Sequence, residues 1–157
     1  MAMSEYYTKL RERIGSDLLL IPGVAALVRD QYGRILVQEK HDGSFSLPAG
    51  AIEPGETTSY AVIREVLEET GLHVKPVRIA GVLGGFPCRV RYDNGHQVEY
   101  VVIVFDCDVI SGELREISDE TRSLQFLHPD EAHARLAFPI PKEVFDSHLA
   151  AAYFPQP

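Results

Sequence analysis

GAIEPGETTSYAVIREVLEETGL, running from Gly50 to Leu72, is the stretch from which the fold is read. Between Thr57 and Thr70 it contains no Gly or Pro, and its Ala, Leu and Glu residues favour a helix. Pro54-Gly55 marks a turn before that helix, and Gly71 is a natural C-terminal stop. At about 100° per residue, Glu65, Glu68 and Glu69 fall within an arc of roughly 100°. Tyr60, Val62, Ile63, Val66 and Leu67 occupy most of the other side. The expectation is a helix with one buried face and an exposed carboxylate cluster opposite. Like charges at these spacings cost about 0.2–0.5 kcal/mol per pair. Only Arg64 is near enough to offset them, best placed for Glu68, and the C-terminal end of a helix disfavours anions. A bound divalent cation resolves the conflict, and oxygen donors in this number suit Mg²⁺ or Mn²⁺ rather than zinc. The plain alternative is a solvated acidic face.

Read as spacing, the stretch is Gly50, five residues, Glu56, seven residues, Arg64-Glu65, an aliphatic residue, one residue, Glu68-Glu69, one residue, Gly71 and Leu72. Every fixed position of the Nudix box is filled, and the chain resembles the Nudix hydrolases. That resemblance implies an α/β fold, an α/β/α sandwich with a mixed sheet between helices. It also implies metal-dependent hydrolysis of a nucleoside diphosphate linked to another moiety. Carried over position by position, Glu65, Glu68 and Glu69 match the metal-binding glutamates, with Glu65 and Glu69 foremost because an i,i+4 pair can reach one ion together. The backbone carbonyl of Ala49, just before the box glycine, matches a further ligand. Many relatives have Gly there, a departure that matters only if the position needs a positive φ. Glu56 and Arg64 are expected to hold the loop to the helix through charge-assisted hydrogen bonds. Gly50 and Gly71 are expected to be structural. A catalytic base outside the box is expected at Glu120, with Glu116, Asp119 and Glu99 as competitors.

Composition sets the outer bounds. One domain spanning 1–157 is expected from the length, and the apolar fraction of 45% suits a sizeable core. A formal net charge of −8 disfavours nucleic acid and acidic membranes as partners. Cys88 and Cys107 are too few for a disulfide framework, which with the charged N-terminus leads to an expected cytoplasmic setting.

Along the chain, residues 4–14 read as a short helix with Tyr6, Leu10 and Ile14 on one stripe, packing on the domain or on a second subunit in a homodimer. Gly23 to Val28 and Arg34 to Glu39 read as a hairpin about Asp30-Gln31-Tyr32-Gly33, followed by a brief strand, Phe45 to Leu47. His73 to Phe86, broken by Pro76 and Gly81, reads as two short strand pieces, with a loop from Leu83 to Cys88 near the site. Arg89 to Tyr92 and Gln97 to Val109 flank the turn Asp93-Asn94-Gly95, and the second of these strands is long and apolar enough to be central. Leu124 to Leu127 is a last strand, Pro129 opens a helix to about Leu136, and 142–153 is expected to be a closing helix.

The leading functional reading is thus a Mg²⁺- or Mn²⁺-dependent pyrophosphohydrolase, acting on an ADP-sugar or next on a nucleoside triphosphate. Some ADP-sugar pyrophosphatases carry a proline about fifteen residues past the box, where Pro87 stands, and Phe86, Tyr92 and Phe45 are candidates for stacking a base, each against the plainer reading of a core or rim aromatic. The alternatives are a catalytically idle domain of the same kind that senses a nucleotide, and a simple acidic interaction domain. The complete set of box acids argues against both.

Overall fold

The computed structural model describes residues 4–115 and 121–156. Its centre is a parallel pair of strands, β1 (Leu18–Arg29) and β7 (Gln97–Gly112), in register from Leu18 opposite Gln97 to Arg29 opposite Asp108. β2 (Ile35–Lys40) turns back antiparallel to β1 and carries β3 (Phe45–Ser46) and β8 (Thr121–Leu127) as antiparallel neighbours. On the far side β5 (Leu72–Leu83) and β6 (Arg89–Arg91) both pair antiparallel with β7. The short β4 (Ala49–Ala51) pairs with Gly23, Val24 and Ala25 of β1. The result is one mixed sheet, as expected for this fold class.

Alternate residues of β1 point to opposite faces, and both faces are buried. Val24, Ala26 and Val28 pack under α2 (Thr58–Thr70), against Ala61, Val62 and Val66. Ala25 and Leu27 face α3 (Pro129–Arg135) and the 3₁₀ turn Lys142–Phe145, against Ala132, Val144 and Phe145. The sheet is therefore sandwiched between helical layers.

Several elements differ from the sequence expectation. β1 begins at Leu18 and passes through Pro22. The Pro22 carbonyl accepts from Ile52 N–H just beyond the paired part of β4, so the missing donor faces an edge where no ladder bond is needed. β5 is one strand rather than two pieces, because it closes the order β3-β2-β1-β7-β5 and absorbs Pro76 and Gly81 as bulges. The closing helix 142–153 is absent beyond its first turn. Asp146 caps a turn by accepting from His148 N–H, and the chain then runs to the open edge of β5, where Tyr153 N–H donates to Ala80 and Val82 N–H donates to Tyr153.

The first helix, α1 (Glu5–Ile14), is capped by Ser4. Tyr7 and Arg11 are its buried residues, Leu10 packs beside Tyr7 as expected, and Tyr6, expected inside, is exposed. Tyr7 hydroxyl donates to the Ile52 carbonyl at 2.6 Å, and burial first, then Glu53, pushes that phenol up to about 12. Tyr7→Phe is expected to cost about 1–2 kcal/mol in urea unfolding at unchanged m-value, because the carbonyl loses its partner while the ring still packs. An unchanged midpoint would mean that α1 is not docked there.

Candidate active site

Two caps fix the helix that carries the acids. Thr57 caps α2 by accepting from Tyr60 N–H, and Gly71 ends it in the left-handed region at φ 77°, its N–H donating to the Leu67 carbonyl. Between these caps Glu65 and Glu69 lie one turn apart. They do not form an exposed cluster: Glu65 is 1% and Glu69 9% exposed, and only Glu68 faces solvent. Tyr60, expected inside, is outside at 60%. The two buried acids lie under β4, whose Ala-Gly-Ala sequence leaves room for carboxylates where larger side chains would fill it.

Arg64 and Glu56 join loop to helix. Arg64 Nε and Nη2 donate to the two Glu56 oxygens at 2.7 and 2.9 Å, and Nη2 also donates to the Ala51 carbonyl. Glu56 in turn accepts from Glu53 N–H. The Arg64 guanidinium holds the Glu56 carboxyl below its usual range, and Glu56 first of all pushes Arg64 up. Arg64 Nη1 bridges the other acids, donating to Glu65 at 2.6 Å and to Glu68 at 3.2 Å.

Glu69 is held from the other side. Its Oε2 accepts from Gln38 Nε2 at 2.8 Å and from Ala49 N–H at 3.0 Å. Gln38 is 1% exposed and is itself fixed by Thr121, whose hydroxyl donates to Gln38 Oε1. Sequence reasoning passed over Gln38. The signal was there, as an amide in the otherwise apolar run Ile35-Leu36-Val37, since a buried amide must be bonded to something. Burial pushes Glu69 up to about 7 and raises Glu65 as well, in spite of Arg64. Ala49 is a strand residue, and no described residue other than glycine has a positive φ, so the alanine costs this backbone nothing.

Among the acids, one atom remains unaccounted for. Glu65 Oε2 is buried and accepts no hydrogen bond. A buried carboxylate oxygen with no partner is costly, and native sites reserve such atoms for an ion or a water. The donors around it are all oxygens, the chemistry of a hard divalent cation. As it stands, no group of three or more acidic, His or Cys side chains among the described residues is arranged to hold an ion. Arg64 spans Glu65 and Glu68, and Glu69 is turned to Gln38 and Ala49, so loading an ion requires these partners to yield.

The acids open onto a cavity of about 900 Å³ that also reaches α1 and the β6–β7 hairpin. Phe86 and Pro87 do not line it. They lie on the 3₁₀ turn Phe86–Cys88, where Phe86 is 77% exposed and stacks on the Arg89 guanidinium. The expected stacking role at Phe86 is corrected by this placement. Glu99 is occupied by Arg89 at 2.7 Å. Glu120, Glu116 and Asp119 lie outside the described residues.

Comparison with known proteins agrees with this architecture. The NUDIX domain model matches residues 19–148. An ADP-ribose pyrophosphatase of Methanocaldococcus jannaschii is 35% identical over 128 residues, covering 78% of this chain and 72% of that protein. A MutT-like protein of Streptomyces ambofaciens is 36% identical over 115 residues, covering 73% and 68% respectively. The crystal structure of a MutT protein from Methanosarcina mazei superposes with a TM-score of 0.64 at 25% identity, over 82% of this chain and 92% of that one. With the box complete, its helix and loop joined by Arg64 and Glu56, and the surrounding mixed sheet in place, the chain belongs to the Nudix hydrolase family, enzymes acting on phosphorus-containing anhydrides.

Proposed function

We propose that this chain, working as one domain in the cytoplasm, hydrolyses the pyrophosphate linkage of a nucleoside diphosphate derivative with Mg²⁺ or Mn²⁺ bound, an ADP-sugar being the favoured substrate. The observation that carries the reading is the unpartnered Glu65 Oε2, buried at the edge of a cavity that also exposes Glu68 and Glu69. Glu65, Glu68 and Glu69, with the Ala49 carbonyl, are the residues that would hold the ion. When bound, such an ion neutralises phosphate oxygens and lowers the pKa of a coordinated water.

The chain's own residues supply position and charge balance. Gln38 fixes one oxygen of Glu69, leaving the other for the cavity. Glu56 keeps Arg64 charged and in place, so the cluster of acids is never without a cation beside it. Lys40 also lines the cavity and favours the ionised form of Glu69. Glu120, outside the described residues, remains the proposed base. The preference for an ADP-sugar is supported by the name and 35% identity of the M. jannaschii relative.

Two measurements test the reading. Purified protein with Mg²⁺ is expected to release a nucleoside monophosphate or phosphate from at least one member of a panel of nucleotide sugars and nucleoside triphosphates. Silence across that panel, with nucleotide binding retained, would replace hydrolysis by sensing. Separately, Mg²⁺ at about a hundred times its Kd is expected to stabilise the fold by about 2.7 kcal/mol. A melting curve indifferent to Mg²⁺ and Mn²⁺ would refute the assignment of the acids.

A further inference from the structure

The cavity has two unlike ends. One holds the acids with Lys40 and Arg64. The other is walled by α1, which lies outside the region matched to the family model, and by the β6–β7 hairpin. Tyr7, Tyr92 and Tyr100 line this second end, with Val98 packed beside Tyr7 and with Asn94 and His96 on the hairpin.

Most of its polar groups are bonded within the wall, Asn94 and His96 to each other included, while Arg11 Nε is buried without a partner. Tyr7 hydroxyl donates to the Ile52 carbonyl, and the Tyr92 and Tyr100 hydroxyls bond each other at 2.9 Å. Arg11 is the cation contributed by α1, and it is 6% exposed. Its Nη1 donates to the Gly15 and Asp17 carbonyls and its Nη2 to the Gln97 carbonyl. The Arg11 guanidinium is buried, no lysine among the described residues lines this wall, and His96 lies at its hairpin end. What it offers is phenol rings whose hydroxyls are satisfied, and such surfaces take flat ring systems.

The wall is also held rigidly to the acidic end. Ser4 hydroxyl donates to Glu53, Tyr7 to Ile52, and Arg11 to Gln97, so α1 ties the loop that carries Glu56 to the start of β7. Tyr7, Ile21 and Val98 form a small core beneath it, with Leu10 and Tyr100 packed against them. A ring placed here would be a fixed distance from the acids.

We propose that α1 and the β6–β7 hairpin form a nucleoside subsite, in which the ring of Tyr92, backed by Tyr7 and Tyr100, receives the nucleobase of a substrate whose diphosphate lies at the acids. The ligand class rests on the nucleotide hydrolase reading above. The subsite favours a nucleotide over a base-free sugar phosphate, because only the nucleotide brings a flat ring to this wall.

Tyr92 is the residue to change, being 44% exposed at a hairpin end where truncation leaves the core intact. Metal-free protein is titrated by calorimetry with AMP and with ribose 5-phosphate. AMP is expected to bind at least about tenfold more tightly, a preference lost in Tyr92→Ala and kept in Tyr92→Phe. With ADP-ribose and Mg²⁺, Tyr92→Ala is expected to lower kcat/KM about tenfold, the loss carried by KM. Equal binding of the two probes by the wild type, or an AMP preference that survives Tyr92→Ala, overturns the subsite. Hydrolysis that is absent while the AMP preference holds overturns the hydrolase reading and leaves the subsite standing. Hydrolysis that is present with no AMP preference does the reverse.

Discussion

Glu69→Gln is expected to lower turnover at least about a hundredfold while leaving the fold intact, a loss of about 2.7 kcal/mol in transition-state stabilisation. The substitution keeps the shape of the side chain. Its carbonyl oxygen can still accept from Gln38 and Ala49, the two bonds that Glu69 Oε2 now makes. What disappears is the negative charge available to a cation.

The same substitution has a stability signature of opposite sign. Burial raises Glu69 from 4.5 to about 7, so between those values the folded protein holds a proton that the unfolded chain has released. The contribution of Glu69 to stability is therefore fully present below pH 4.5 and is lost as pH rises through about 7. Glutamine does not titrate, so that slope is expected to vanish. Without metal at pH 8, Glu69→Gln is expected to melt no lower than the wild type. With saturating Mg²⁺ the order is expected to reverse, because only the wild type gains from the ion. Activity that survives the change, or a Mg²⁺ shift equal to that of the wild type, would remove Glu69 from the set of ligands.

That difference between depth and direction marks the limit of the sequence reading. A helical wheel correctly groups Glu65, Glu68 and Glu69 on one arc, because spacing alone sets direction. It cannot say how far each is buried, which depends on β4 lying close over α2. The position of β4 is in turn set by pairing with β1, about twenty-five residues away in the chain. The Gly71 stop of α2 and the hairpin at Asp93-Asn94-Gly95 were readable because their chemistry is local, with Tyr92 N–H closing on the His96 carbonyl. Gln38 as the partner of Glu69 was not, since the two are thirty-one residues apart. β5 and the C-terminal segment failed for a related reason. Pro76 and Gly81 are breakers in isolation, but an edge strand tolerates both, and its open edge then captures the chain near Tyr153 in place of a helix. On α1 the wrong tyrosine was placed inside, because Tyr6 and Tyr7 are equally apolar to a periodicity count. Only the Ile52 carbonyl distinguishes them.

Gly50→Ala is expected to destabilise the protein by about 3 kcal/mol and to abolish measurable turnover. The reason is steric rather than conformational. Gly50 has no positive φ, so alanine fits its backbone. A methyl group there, however, would stand 2.1 Å from the Glu65 carboxyl carbon and 2.5 Å from Oε2. Neither side can give way cheaply. Glu65 is buried and gripped by Arg64, and β4 is paired to β1 through Val24 opposite Gly50. The methyl therefore either drives β4 off β1 or forces Glu65 out of the cavity. Gly55 makes the control. It has φ 87° with nothing within 4 Å of an added methyl, so Gly55→Ala meets only backbone strain, about 1–2 kcal/mol. A second change separates the two consequences. Adding Glu65→Asp to Gly50→Ala retracts the carboxyl by one methylene and is expected to recover much of the lost stability in urea unfolding. Turnover is not expected to return, because the shortened acid no longer reaches the place that Glu65 Oε2 now occupies. If Gly50→Ala alone matched the wild type in both stability and Mg²⁺ response, the close approach of β4 to Glu65 would be wrong, and with it the cradle on which the proposed ion site depends.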